Sequence, residues 1–322
     1  TIIFFSALMA ILYHAGVMQR VVKGISWVME RTMRTSGSET LSTAANIFVG
    51  QTEAPLVVRP YIEKMTQSEL MAIMVGGFAT VAGGVLAAYV GMLLPFFPDI
   101  AGHLIAASFM AAPATLVIAK LMQPETEVSE TAGGAELSME KVDANVIEAA
   151  ARGASEGLLL ALNVGAMLLA FIALVALANA LIALPVEGVN HLAGTTFTPI
   201  TFQQILGVLF WPIAFLMGVS PSECGTVAGL LGEKIVLNEF VSYLHLADML
   251  NTAPESLSPR SVVLVAYALC GFANFSSIAI QVGGIGTLAP ERRGDMAKLG
   301  VRAMIGGLLA SYITATIAGI LI

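Results

Sequence analysis

Asn46-Ile47-Phe48-Val49-Gly50-Gln51-Thr52-Glu53-Ala54-Pro55 is the stretch on which the reading of this chain turns. An amide, a hydroxyl and a carboxylate stand together in an otherwise apolar run, and a proline follows. Residues 38–65 around it are apolar but broken, and they end beyond Arg59. Residues 204–246 form a second such region, interrupted by Glu223, Gly225, Gly229, Gly232, Lys234, Asn238 and Glu239. Neither reads as a lipid-facing helix, and each is long enough for two short helices joined by a turn. Irregular backbone at membrane depth persists only where protein or a watery cavity satisfies it, so both read as re-entrant hairpins.

The bilayer is the expected solvent. Hydrophobic residues make up 57% of the chain and charged residues 11%, whereas soluble domains carry about a quarter charged residues. Mean hydropathy is +0.84. The 31 glycines suit close helix packing in lipid. The net charge of -7 comes from a few loops, with acids concentrated in residues 125–156, which read as a solvated connection. No basic stripe with interleaved aromatics argues for nucleic acid. Cys224 and Cys270 lie in apolar surroundings and read as buried free thiols. His14, His103, His191 and His245 lack metal-ligand spacing, and no HExxH, CxxC or GxSxG occurs. The chain opens at Thr1 inside an apolar run, which suggests a piece of a longer protein with spans upstream.

A spanning helix needs about 20 apolar residues. Segments 1–18, 70–94, 104–122, 158–184, 261–288 and 301–322 meet or approach that. If both broken regions return to their own side, Lys234 and Arg260 are the exceptions among 15 basic residues. The other 13 (15 minus 2) fall on one face, which the positive-inside rule makes cytoplasmic. Were either hairpin to cross fully, that segregation would collapse.

The broken regions also resemble each other. Trp27 lies nine residues before Ser36-Gly37-Ser38-Glu39, and Trp211 nine before Ser220-Pro221-Ser222-Glu223. From Ser36 to Glu53 is 17 residues, and from Ser220 to Glu239 is 19. Gly77-Phe78-Ala79-Thr80 answers Gly271-Phe272-Ala273-Asn274. Between the hairpins lie spans 70–94, 104–122 and 158–184, an odd number, so the repeats are inverted. The expected fold is an all-α integral membrane protein with two inverted repeats, each holding a re-entrant helical hairpin and an interrupted transmembrane helix. Secondary transporters are built this way, with sites near the midplane where the repeats meet.

Glu53 and Glu239 occupy corresponding places. A carboxylate at mid-bilayer costs about 2.5–3.5 kcal/mol and needs a partner or a wet cavity. A structural pairing would satisfy it; so would a ligand. Gln51, Thr52 and Asn238 beside them offer donors and acceptors without charge, which suits a polar, uncharged ligand. Thr80-Val81-Ala82-Gly83-Gly84 and Asn274-Phe275-Ser276-Ser277 interrupt spans. Freed carbonyls there, with Asn46 and Thr80, would make an all-oxygen set for a hard monovalent cation; the alternative is a glycine packing contact.

The decad that opens this section, with Asn238-Glu239-Phe240-Val241 and Cys270-Gly271-Phe272-Ala273-Asn274-Phe275-Ser276-Ser277, resembles the concentrative nucleoside transporter family, bacterial branch. The resemblance covers residues 1–322, from the family's third span onward, so its first two spans would be missing. It implies a sodium-coupled importer of uridine-like nucleosides in the bacterial inner membrane, lipid-embedded, a homotrimer that moves like an elevator, with no cofactor besides sodium. Gln51, Thr52, Glu53 and Val85 would face the nucleobase. Glu239, Asn274 and Ser277 would hold the ribose, and Phe272 would border the pocket. Asn46, Thr80 and the carbonyls of Val49 and Val81 would hold sodium. Thr80 departs from the serine associated with that position but keeps its hydroxyl. The implied organisation is a scaffold span 1–19, a cytoplasmic interfacial helix 20–37, repeat one over 38–122, a cytoplasmic loop 123–157, a scaffold span 158–184, and repeat two over 204–322. Proton coupling in the same fold is the alternative. An intramembrane enzyme lacks a nucleophile–base pair, and a channel fits poorly with two oppositely oriented hairpins.

Overall fold

The computed structural model of the chain describes residues 2–135 and 143–322; Thr1 and Lys141, used above, lie outside them. The described residues form helices and no strand. Helix α1 (Ile2–His14) bends by 78° into α2 (Val17–Met33). Gly16, at φ 73°, takes the left-handed conformation that this corner requires. The helix α2 buries Met18, Val22, Ser26 and Met29 and exposes Trp27 and its basic residues, as an interfacial helix would.

The first hairpin starts with α3 (Gly37–Asn46), every residue of which is buried. Ser36 and Glu39 close a capping box at its root. The return arm differs from the expected short helix. Ala54–Val58 is a 3-10 turn and only Arg59–Ile62 (α4) is α-helical. Pro55 and Pro60 explain it, because neither has an N–H to donate and each crowds the preceding turn. The second hairpin has two regular arms, α10 (Cys224–Val236) and α11 (Glu239–Thr252), parted by Leu237 and Asn238.

Each hairpin is followed by a broken span. The first is α5 (Gln67–Ala79) and α6 (Gly83–Leu93); the second is α12 (Pro259–Leu269) and α13 (Phe275–Leu288). The Gly-Phe-Ala match between the repeats holds in order but not in conformation. Gly77-Phe78-Ala79 completes α5, while Gly271-Phe272-Ala273 lies in the second break. Unbroken α7 (Ile100–Met122) and α14 (Arg293–Leu321) flank these elements. Between the hairpins lie α5–α6, α7 and α8, the odd number that inverts the repeats.

The helix α8 (Val146–Ala193) has 48 residues and extends past both expected ends of the span. Asn145 caps its start by accepting from Glu148 N at 2.9 Å, and Gly194 ends it at φ 63°. A Cβ on Gly153 would sit 2.7 Å from Ser6 O, and one on Gly157 2.8 Å from Ile3 Cα, so α1 and α8 pack at backbone distance. The amphipathic helix α9 (Phe202–Leu216) lies along α10, where a Cβ on Gly207 would meet Gly225 O at 2.8 Å.

A buried polar clasp holds the root of the first hairpin. Glu69 Oε1 accepts from the hydroxyls of Ser36 (2.6 Å), Ser38 (3.0 Å), Ser129 (2.5 Å) and Thr131 (3.2 Å). Its Oε2 accepts from Thr66 N at 2.9 Å. Beside it, Lys120 of α7 pairs with Glu39 at 2.8 Å. Hydrogen bonds to a charged group contribute about 1.5–3 kcal/mol, so Glu69→Ala is expected to lower unfolding stability by at least about 2 kcal/mol. Glu130→Ala, which breaks the exposed Lys64 pair, should change it by less than about 1 kcal/mol. Thermal unfolding of the detergent-solubilised variants checks both.

Candidate functional site

The interruptions meet in the interior. Gly83 N donates to Phe48 O at 3.1 Å, tying the tip of the first hairpin to the first break. Phe272 N donates to Thr80 O at 3.3 Å, tying the breaks to each other. Gly271, at φ 151°, passes so close to α5 and α14 that a Cβ would lie 2.8 Å from Phe78 O and 3.0 Å from Ser311 Oγ. Only glycine combines that backbone angle with that approach.

A cavity of about 220 Å³ opens where these segments face one another. It is lined by all eight residues named for a ligand: Gln51, Thr52, Glu53, Val85, Glu239, Phe272, Asn274 and Ser277. Leu160 of α8 supplies one apolar wall. Val85, Glu239 and Ser277 each sit in the first turn of a helix, where unpaired N–H groups make the positive end. That polarity suits two carboxylates in one pocket.

Glu239 is buried and held on both oxygens. Tyr89 donates to Oε1 at 2.9 Å, and Asn274 Nδ2 donates to Oε2 at 3.0 Å. Asn274 is fixed in turn, because its Oδ1 accepts from Ser277 N at 2.9 Å and Ser276 Oγ at 2.7 Å while capping α13. Tyr89 stacks on Tyr243 with ring centroids 4.2 Å apart. Gln51 Nε2 donates to Ser277 Oγ at 3.3 Å, and Gln51 Oε1 accepts from Gln281 Nε2 at 3.1 Å. Glu53 is exposed and lines the cavity; its backbone N donates to Gly50 O at 3.2 Å, while its carboxylate makes no hydrogen bond among the described residues.

A second set gathers behind the hairpin tip. Asn46 is fully buried, and both its side-chain oxygen and nitrogen lack a hydrogen-bond partner among the described residues, as does Thr43 Oγ1. Orphaned buried polar atoms cost about 1–3 kcal/mol each, which a bound cation or water would offset. The Phe48–Gly83 hydrogen bond brings Val49 beside the first break. The carbonyls of Val49 and Val81 accept no hydrogen bond among the described residues. Thr80 Oγ1 donates to Gly76 O at 2.9 Å and keeps its lone pairs. Amide, hydroxyl and carbonyl oxygens without a carboxylate fit a hard monovalent ion better than a transition metal. Consistent with that donor set, no cluster of three His, Cys, Asp or Glu occurs among the described residues.

Sequence reasoning missed Tyr89 and Gln281. Both are single polar side chains inside apolar spans, which was a usable signal: a buried phenol or amide must find a partner.

The family model described as Na+ dependent nucleoside transporter C-terminus matches residues 103–319, and the one described as nucleoside recognition matches residues 1–96. An uncharacterized transporter of Haemophilus influenzae is 50% identical over 325 residues, covering 100% of this chain and 75% of its own. Sodium/nucleoside cotransporter 1 of Mus musculus is 43% identical over 332 residues, 99% of this chain and 50% of its own. Among solved structures, CNTnw in an inward-facing substrate-bound state superposes with a TM-score of 0.89 at 49% identity, covering 99% of this chain and 73% of that one. A variant of CNTnw in an intermediate state gives 0.90 at 48% identity, covering 99% and 74%. These relatives are transporters, not enzymes.

Gln281→Leu leaves Gln51 Oε1 and Met74 O without their shared donor. It is expected to lower unfolding stability by about 1–3 kcal/mol, read as a drop in the thermal midpoint of the purified protein.

Proposed function

This chain belongs to the concentrative nucleoside transporter family, and on that premise we propose that it imports nucleosides by symport with sodium. The observation that carries the reading is the convergence of both hairpin tips and both breaks on one cavity that sets two carboxylates and several amides and hydroxyls among apolar walls. Glu239 holds the ribose. An ionised carboxylate has about four acceptor sites, and Tyr89 and Asn274 use two, which leaves room for a pair of vicinal hydroxyls. Charge-assisted bonds of that kind are short and strong. Asn274 and Ser277 assist there, Phe272 borders the sugar, and Gln51, Thr52, Glu53 and Val85 face the base.

Sodium takes the orphaned amide oxygen of Asn46 and the lone pairs of Thr80 Oγ1, with the carbonyls of Val49 and Val81. An ion there braces the joint between the first hairpin and the first break, and so orders the tip that bears Gln51 and Glu53. That is a physical route to coupling: the cation stabilises the ligand-ready shape. Thr80 serves as serine would, because coordination uses the hydroxyl. The exposed aliphatic face of α8, with Leu169, Leu177 and Leu181 outward, supports a scaffold that meets lipid and sister subunits in a homotrimer. The charge segregation supports a membrane orientation with the basic face, residues 123–157 included, in the cytoplasm; the bacterial inner membrane and elevator movement of the hairpins against α1 and α8 complete the reading.

Proteoliposomes test this. Labelled uridine should accumulate against its gradient when sodium is high outside, and not when sodium is replaced by choline. Accumulation that follows a pH gradient and ignores sodium would instead mark proton coupling. Glu239→Gln is expected to raise the KM for uridine at least about tenfold, the loss of one charge-assisted bond; an unchanged KM sinks the ribose assignment. Thr80→Val keeps shape and removes the hydroxyl. It should raise the sodium concentration for half-maximal uptake about tenfold, with little change in uridine affinity at saturating sodium.

A further inference from the structure

Lys234 stood apart in the charge ledger, and nothing in the site as described uses it. It lies near the end of α10 and is fully buried. Its ammonium donates to Ala268 O at 2.8 Å, in the last turn of α12. That carbonyl belongs to the negative end of a half-helix, and Lys234 also stands at the negative end of its own helix. Glu239 follows directly across the Leu237-Asn238 turn as the first residue of α11, at the positive end of that helix. Through Asn274 its carboxylate reaches the positive end of α13. One hairpin therefore offers a cation to the C-terminus of the first half of the broken span, and an anion to the N-terminus of the second half.

The groups whose charges act on Glu239 are few. Lys234 and Tyr243 share its hairpin, Tyr89 comes from α6, Cys270 from the second break, and Glu53 lines the same cavity; Lys234 acts across the turn without a direct ion-pair contact. Of these, Lys234 is the cation. Ionisable groups inside a membrane are expensive unless paired, and a lone carboxylate among two stacked tyrosines would take up a proton instead.

We propose that Lys234 is the resident counter-charge of Glu239, a positioning residue that keeps the carboxylate ionised for a ligand hydroxyl and leaves the hairpin with no net charge from the pair. Its link to ligand binding rests on the nucleoside reading above; the charge pairing itself does not. Neutrality of the pair matters for a hairpin that changes its depth in the membrane, because two compensated charges add no field penalty to the movement.

The experiment is a double-variant cycle on the purified chain in detergent, with Lys234→Met, Glu239→Gln and both together. Thermal midpoints are read without ligand, and uridine binding is read from pH 6.5 to 9. Each single variant strands a buried charge and should melt below the parent, while the double variant should melt above both. Lys234→Met should bind uridine at least tenfold more weakly than the parent at pH 6.5, and the deficit should shrink as the pH rises. Additive losses in the double variant overturn the pairing. So does a Lys234→Met protein with parental affinity and a flat profile, which would make Lys234 only a cap for α12. Should Lys234→Met fail to fold, the comparison of Glu239→Gln with the double variant decides: higher melting in the double supports the pair, equal or lower melting rejects it. If the parent binds no uridine, the nucleoside reading fails while the melting cycle still judges the pair.

Discussion

A backbone that stops being helical inside a membrane has to find partners for the groups it frees, and lipid offers none. This chain stops being helical at four interior places: two hairpin tips and two breaks. They satisfy one another in part, the carbonyls of Val49 and Val81 being left over. Phe48 O takes the Gly83 N–H, Thr80 O takes the Phe272 N–H, and Ser311 of α14 donates to Cys270 O at 3.2 Å. Asn238 and Asn274 supply the remaining acceptors by capping α11 and α13. The crossing of two inverted repeats is thus the arrangement in which four costly features become mutual donors and acceptors.

The site follows from that solution. Where helices stop, their ends point inward, and three positive ends converge with the tip that carries Glu53. Polar side chains at those ends cap a neighbour and line the cavity at once, as Asn274 does. Capping and cavity lining therefore share residues. The remote clasp around Glu69 serves the same end from the hairpin's root, since a tip can hold a ligand only if its base does not sway.

Much of this was legible in the chain because a membrane makes polar residues conspicuous. Gln51, Thr52, Glu53 and Glu239 stood out against apolar runs, and all four line one cavity. What escaped was context. Tyr89 and Gln281 are single polar residues in long spans, and their importance lies in what they touch across more than a hundred residues of sequence. Pro55 and Pro60 were plain to see, but packing decided that the arm would tighten to a 3-10 turn. The Gly-Phe-Ala motif was matched between repeats, yet in one it ends a helix and in the other it lines the pocket. Local wording cannot settle where a helix ends when tertiary partners compete for its carbonyls.

Leu160 closes one side of the cavity from a helix whose middle, residues 158–184, is mostly leucine and alanine, with Asn163 and Asn179 among them. Further along the same helix, Val175 packs against Leu237 and Val241 at the second hairpin's tip. Both contacts are aliphatic and make no directional bond. Such contacts fix closeness more than register along the helix. The directional bonds of α8 lie elsewhere, where Asn179 accepts from Phe202 N at 2.7 Å at the start of α9, so the helix is keyed to its interfacial neighbour and only leans on the hairpin.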